Sequence, residues 1–308
     1  MFVNLLGSAA GGGFPQWNCG CRNCSASRAG TLLGKPRTQT QVAVSSDGSS
    51  WFLLNASPDL RLQIESSPKL RPHANGRSSP ISGVVVTSAD VDAIAGLLSL
   101  RELQPLQIHC TPSLRRILRE DNSIFAMLNR VREQANWINI FPNEDFQLST
   151  SSEADSALHC RAISIGSHYP VYVSPSLRTK LSPAEASLAL FVSADASRLG
   201  FVPAIAQVDD VLFDLLSQCD VVLFDGTFWT DDELIKVQGH GATAKEMGHI
   251  PVSGPDGSLR RLADLKKPRK IYLHINNTNP VLDESSPEYR EVRDAGWEIA
   301  EDGWQIQL

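Results

Sequence analysis

The 308-residue sequence has no run approaching the ~20 consecutive apolar residues that a membrane-spanning helix requires. It has no basic excess either, since 28 Lys and Arg stand against 34 Asp and Glu for a net charge of −6. A general nucleic-acid binder needs a basic surface to displace counterions, so that class is set aside. No basic segment precedes the first apolar residues, MFVNLL, which read as a β-strand rather than a signal peptide and make the cytoplasm the default location. Repeats, low-complexity tracts and an interdomain linker are also missing. Residues 1–308 therefore read as a single domain, long enough to bury a substantial core. Cysteine is scarce and unevenly spread: Cys110, Cys160 and Cys219 lie alone in apolar or strand-like contexts, as buried free thiols of a reducing compartment would.

The other three cysteines crowd into GSAAGGGFPQWNCGCRNC, residues 7–24. Cys19, Cys21 and Cys24 carry two readings. They are small hydrophobes or disulfide halves, or they are thiolate ligands of a structural zinc, which takes four S or N donors in a tetrahedron. A C-x-C-x-x-C run lets three sulfurs converge on one ion, whereas disulfides among such close neighbours are strained. Asn18, Arg22, Asn23 and Ser25 are poor zinc donors, so a fourth ligand has to come from elsewhere in the chain. The glycines ahead of the cysteines lack the lysine of a phosphate-binding P-loop, and Pro15 intervenes before any helix pattern.

Several apolar runs end in groups that bind metals or substrates. ISGVVVT, residues 81–87, is a β-branched run of the kind buried on both sheet faces, and it leads into Asp90 and Asp92 at the start of a helical pattern. Those two carboxylates either cap the helix or serve as ligands. VVLF leads into Asp225-Gly226; a carboxylate closing such a run must meet a cation or several donors, because burying it alone is costly. KIYLHI places His274 near a strand end, with Asn276, Asn277, Thr278 and Asn279 next. That segment reads as a plain turn or as amides placed to bind substrate. His168 follows another strand, and His240 and His249 sit in a glycine-rich segment. TQVAVSSDGSSWFLLNAS reads as a hairpin turning at Asp47-Gly48, and WEIAEDGWQIQL as a second one turning at Asp302-Gly303.

GSAAGGGFPQWNC, Arg37–Gln39, LNASPDLR, GLLSLRE, DGTFW, EMGHIP and HINNTNPVLDE, in this order from Leu6 to Leu308, resemble the coenzyme PQQ biosynthesis protein B family of the metallo-β-lactamase superfamily. The resemblance implies an α+β fold, an αββα sandwich of two β-sheets flanked by helices, with ligands collected from loops at one edge. It implies His249 as the fourth ligand of the cysteine zinc, with His240 as its rival. The superfamily's His-x-His-x-Asp-His motif falls on Ser88, Asp90, Asp92 and Ala93, so only Asp92 matches, which argues against a two-metal hydrolytic centre. One metal held by Asp90 or Asp92 with Asp225 and His274 is left; the 2-His-1-carboxylate set of oxygen-activating iron would need a second histidine, His168 or His240.

The implied function is a step in pyrroloquinoline quinone (PQQ) biosynthesis: Fe(II)-dependent oxygenation of the tyrosine-derived part of the precursor. Asn276, Asn277, Thr278 and His240 would bind that small, dipeptide-like substrate. Other proteins of the pathway and a second copy of the chain are the expected partners. A non-catalytic carrier of PQQ or its precursor is the alternative that Ala93 favours, and a degenerate metal-dependent hydrolase is the third.

Overall fold

The computed structural model describes residues 1–72, 76–129, 134–150 and 155–308. They form two compact units: Met1–Leu6, Gln41–Ser197 and Gly303–Leu308 make the first, and Gly7–Thr40 with Arg198–Asp302 the second. Among the described residues no helix is long and apolar enough to cross a membrane.

The first unit holds a mixed sheet of β1 (Phe2–Gly7), β2 (Gln41–Ser45), β3 (Trp51–Leu54), β4 (Ile81–Val85), β5 (Leu106–Cys110) and β6 (Ala135–Asn139), side by side in that order. β2 and β3 form the expected hairpin, with Val42 opposite Leu54. Its turn is fixed by Asp47, whose Oδ1 accepts from the backbone N–H groups of Ser49 and Ser50 at 2.8 and 2.9 Å, and by Gly48 at a φ of 78°. β4 runs parallel to both its neighbours and is buried along almost all of its length, as its β-branched sequence predicts. Trp51, Leu53, Val84, Leu97, Ile108 and Leu114 pack into one apolar cluster on this sheet. An antiparallel ribbon of β7 (Asp145–Ser149), β8 (Asp155–Gly166) and β9 (Ser187–Ala194) also belongs to this unit.

In the second unit β10 (Ser197–Val202), β11 (Val221–Asp225), β12 (Arg269–Leu273) and β13 (Trp297–Ile299) run parallel. β11, VVLFD, is buried at every position. Its register pairs Asp225 with Leu273, so His274 is the next residue beyond the carboxylate on the adjoining strand. The Tyr272 and Trp297 rings stack at 4.1 Å, and Phe224 meets both edge-on at 6.5 and 6.0 Å. This aromatic block fixes the lateral spacing of the three strands beneath the strand ends.

The second expected hairpin does not form. β13 pairs in parallel with β12, while Gln305–Gln307 pairs antiparallel with β1. The Asp302-Gly303 turn is present, with Gly303 at a φ of 86°, but it parts two strands that bond to different partners.

Candidate metal centres

Two groups of metal-ligating side chains are built in the second unit. In the first, the Cys19, Cys21 and Cys24 sulfurs lie within 4.8 Å of one another, as free thiols. Cys21 takes the N-cap position of the helix Arg22–Ala29, which curls the chain so that Cys24 turns back toward it. Backbone N–H groups of Gln16, Cys21 and Cys24 donate to the Cys24, Cys19 and Cys21 sulfurs at 3.4, 3.4 and 3.5 Å. The Arg28 guanidinium ties the loop down on the carbonyls of Cys19 and Gln16. Burial pushes the Cys21 thiol up to about 11. Burial pushes on Cys19 too, but the N–H and thiol donors around it outweigh that and hold it below the ordinary thiol value.

The fourth group facing the sulfurs is Asn277. Its amide Nδ2 lies 3.1, 3.6 and 3.4 Å from the sulfurs of Cys19, Cys21 and Cys24. His249, the expected fourth ligand, lies elsewhere, with its Nδ1 2.8 Å from Asp225 Oδ2. The physical reason is local: the His249 backbone N–H closes a turn onto Ala244, and Ile250 N–H bonds Ile205 O, which delivers the ring to the end of β11.

The second group is therefore Asp225, His249 and His274, with ligating atoms within 4.8 Å of one another. Asp225 is fully buried. Its carboxylate accepts from the backbone N–H groups of Ile205 and Thr227 at 3.0 Å each and from the Thr227 hydroxyl at 2.6 Å, besides meeting His249. These donors are what a carboxylate at the end of an apolar strand needs. Thr227 Oγ1 also lies 3.1 Å from His249 Nδ1 and 2.8 Å from His274 Nδ1. Nδ1 is therefore the nitrogen that each ring turns toward Thr227, and His249 turns its Nδ1 toward the Asp225 carboxylate as well. The rings stack at 5.3 Å, and Phe228 meets His249 edge-on at 5.9 Å. His274 sits at a φ of 60°, an uncommon conformation for a side chain with Cβ. Gly226 admits no larger residue, because an added Cβ would lie 2.7 Å from Ile275 Cδ1 and 2.8 Å from Tyr272 Cβ.

The amide segment holds these groups in place instead of lining a pocket. Asn276 Nδ2 donates to Thr278 Oγ1, and Thr278 Oγ1 to Glu233 Oε1, both at 2.5 Å. Asn277 and Thr278 are buried, so the substrate contacts expected of Asn276, Asn277 and Thr278 are replaced by internal ones. His240 is exposed just beyond the helix Glu233–Gln238, and His168 is exposed after β8 in the first unit. Asp90 and Asp92 also belong to the first unit. Asp90 holds the N-cap position of the helix Val91–Ile94 with its carboxylate accepting from Ser88 Oγ at 2.8 Å, and Asp92 is half-buried in the first turn.

Two functional groups escape a reading of the sequence. Thr227, the hub of the second group, is signalled only by its place two residues after a strand-end aspartate. Glu233 resembles a solvated helix start in the acidic run Asp231-Asp232-Glu233, yet it is buried, and burial pushes its carboxyl up to about 7.

Residues 50–275 match the family model of the beta-lactamase superfamily domain. The chain is 38% identical to coenzyme PQQ synthesis protein B of Methylorubrum extorquens over 308 residues, and 41% identical to that of Ectopseudomonas mendocina over 313 residues; each alignment covers all of both chains. Among solved structures it is similar to Zn(2+)-bound PqqB from Methylobacterium extorquens, with a TM-score of 0.91, 39% identity and full coverage of both chains. A diphosphatase of the PhnP family shares the fold at a TM-score of 0.66 and 17% identity, over all of this chain and 97% of that one.

Proposed function

The chain belongs to the coenzyme PQQ synthesis protein B family, on the metallo-β-lactamase fold of two mixed β-sheets flanked by helices, and from that premise we propose that it acts in PQQ biosynthesis as a metal-dependent oxygenase. The family-model match runs through both compact units, which supports reading residues 1–308 as one domain.

The donor chemistry fits a metal in each group. Three clustered thiols suit zinc, so Cys19, Cys21 and Cys24 would hold it as a structural ion, with Asn277 able to join them through Oδ1 once its amide is turned over, in keeping with the zinc named for the similar solved structure. Two imidazoles and one carboxylate suit a 2-His-1-carboxylate iron centre, and His249 supplies the second histidine that the sequence left open between His168 and His240. Asp225, His249 and His274 would hold Fe(II), whose contribution when bound is oxygen activation. Thr227 holds both rings with Nδ1 turned toward itself and the carboxylate, and a metal shared with Asp225 would take those Nδ1 lone pairs, with the ring protons on Nε2. Asp225, held by the N–H groups of Ile205 and Thr227 and by the Thr227 hydroxyl, would supply the oxygen ligand. His240, exposed near this group in sequence, is the residue we assign to substrate.

The observation that carries the reading is the convergence of Asp225, His249 and His274 at the ends of adjoining strands. It is tested by anaerobic loading with Fe(II), followed by oxygen, a two-electron reductant and a Glu-Tyr-type dipeptide. A hydroxylated phenol is the expected product; its absence from iron-loaded protein refutes the oxygenase. Ala93, standing where the superfamily motif has histidine, favours a second reading, a carrier of PQQ or its precursor. A carrier would bind the quinone without consuming oxygen. A cytoplasmic location and a homodimer complete the proposal, checked by fractionation and by sedimentation.

A further inference from the structure

The two groups are not independent, because one hydrogen-bonded link joins them inside the second unit. Asn23, between Cys21 and Cys24, sends its Nδ2 to the carbonyls of Asn277 and Asn279 at 3.2 and 2.9 Å. Asn277 presents its amide to the three sulfurs. Asn279 is fully buried, so it is out of reach of substrate, and its Nδ2 donates to the carbonyls of Gly226 and Thr227 at 2.9 and 3.2 Å. The backbone N–H of Asn276 also donates to Thr227 O, at 3.0 Å. Thr227 is the residue whose hydroxyl touches Asp225, His249 and His274. The bonds made by Asn23 and Asn279 are buried, so a shift of Asn23 or Asn277 is passed to the Gly226–Thr227 turn.

We propose that Asn23 and Asn279 are positioning residues that make the cysteine cluster a control on the Asp225–His249–His274 centre: metal held by the sulfurs sets the orientation of the two imidazoles. The inference rests on reading the cysteines as a metal site. Loading the thiols draws Cys19, Cys21 and Cys24 together and fixes Asn277; Asn23 and Asn279 then hold the 226–227 turn, and through Thr227 the rings. Coupling of this kind is reciprocal, so a ligand at the imidazoles also tightens metal at the sulfurs by the same factor.

The experiment uses the full chain and cadmium alone, a thiol-seeking ion whose charge-transfer absorption reports binding at the sulfurs. Ring nitrogen NMR signals of His249 and His274 report the other centre without requiring a second metal or any activity. In the wild-type protein, one equivalent of cadmium is expected to produce the thiolate band and to move both ring signals. In Asn279→Ala, and separately in Asn23→Ala, which cuts the link at its other end, the band is expected to persist while the ring shifts fall at least five-fold. Ring signals that ignore cadmium in the wild type, or that move equally in both variants, overturn the coupling. A wild-type protein that gives no thiolate band overturns the metal reading of the cysteines themselves.

Discussion

Glu233 gives the sharpest test of how the amide segment is held. Its side chain is 6% exposed, and its two oxygens accept from Thr278 Oγ1 and the Trp229 backbone N–H, both at 2.5 Å. Burial raises its carboxyl from 4.5 to about 7, and those hydrogen bonds only partly offset the rise. The folded state therefore holds a proton that the unfolded state has released between these two values. Stability is fully present below pH 4.5 and is lost as pH rises through 7. At about 1.4 kcal/mol per pH unit, the loss amounts to about 3 kcal/mol. Glu233→Gln keeps the shape and mimics the neutral, protonated acid. The variant should be less stable than, or equal to, the wild type at pH 5 and more stable at pH 8, with the difference between them moving by about 3 kcal/mol across that range. Urea midpoints at half-unit pH steps measure it. Parallel pH profiles for the two proteins would refute the buried, proton-holding carboxyl.

Three other outcomes follow from the same packing. His109 is buried, and burial lowers its imidazole to about 4, so the stability its neutral ring contributes is present above its unfolded value of 6.5 and lost as pH falls through 4; His109→Gln should flatten the acid limb of a urea-midpoint profile. Thr227→Val leaves the Asp225 carboxylate and two ring nitrogens short of a partner and should cost about 1–3 kcal/mol by chemical denaturation, while Thr227→Ser restores most of it. Cys24→Ser should remove about one equivalent of zinc from the purified protein by elemental analysis, since a structural site loses its ion with one ligand gone.

Much of the fold was legible where local pattern and final environment agree. The β-branched run of β4 and the apolar run of β11 announced strands buried on both faces, and Asp47-Gly48 announced its hairpin. The Asp302-Gly303 turn misled because alternation and turn chemistry describe a strand but not its partner; β1 and β12, far away in sequence, took the two strands. The same limit governs the site. Spacing alone collected Cys19, Cys21 and Cys24, and strand ends alone marked Asp225 and His274. Motif position points His249 at the sulfurs because it carries no information on where a loop folds back, whereas the bond from Ile250 to Ile205 decides it. Asn277 read as a turn former or substrate ligand, since its three sulfur partners lie some 250 residues earlier in the chain.

On the function proposed above, this chain holds two separate metal centres, with His249 belonging to the second. Anomalous diffraction at the zinc and iron edges, from crystals loaded anaerobically with both metals, tests it most directly. A zinc peak among Cys19, Cys21 and Cys24, beside Asn277, and an iron peak among Asp225, His249 and His274 are expected. A zinc ion bound by the three cysteines with His249, or no iron peak at Asp225 in fully loaded crystals, would contradict it.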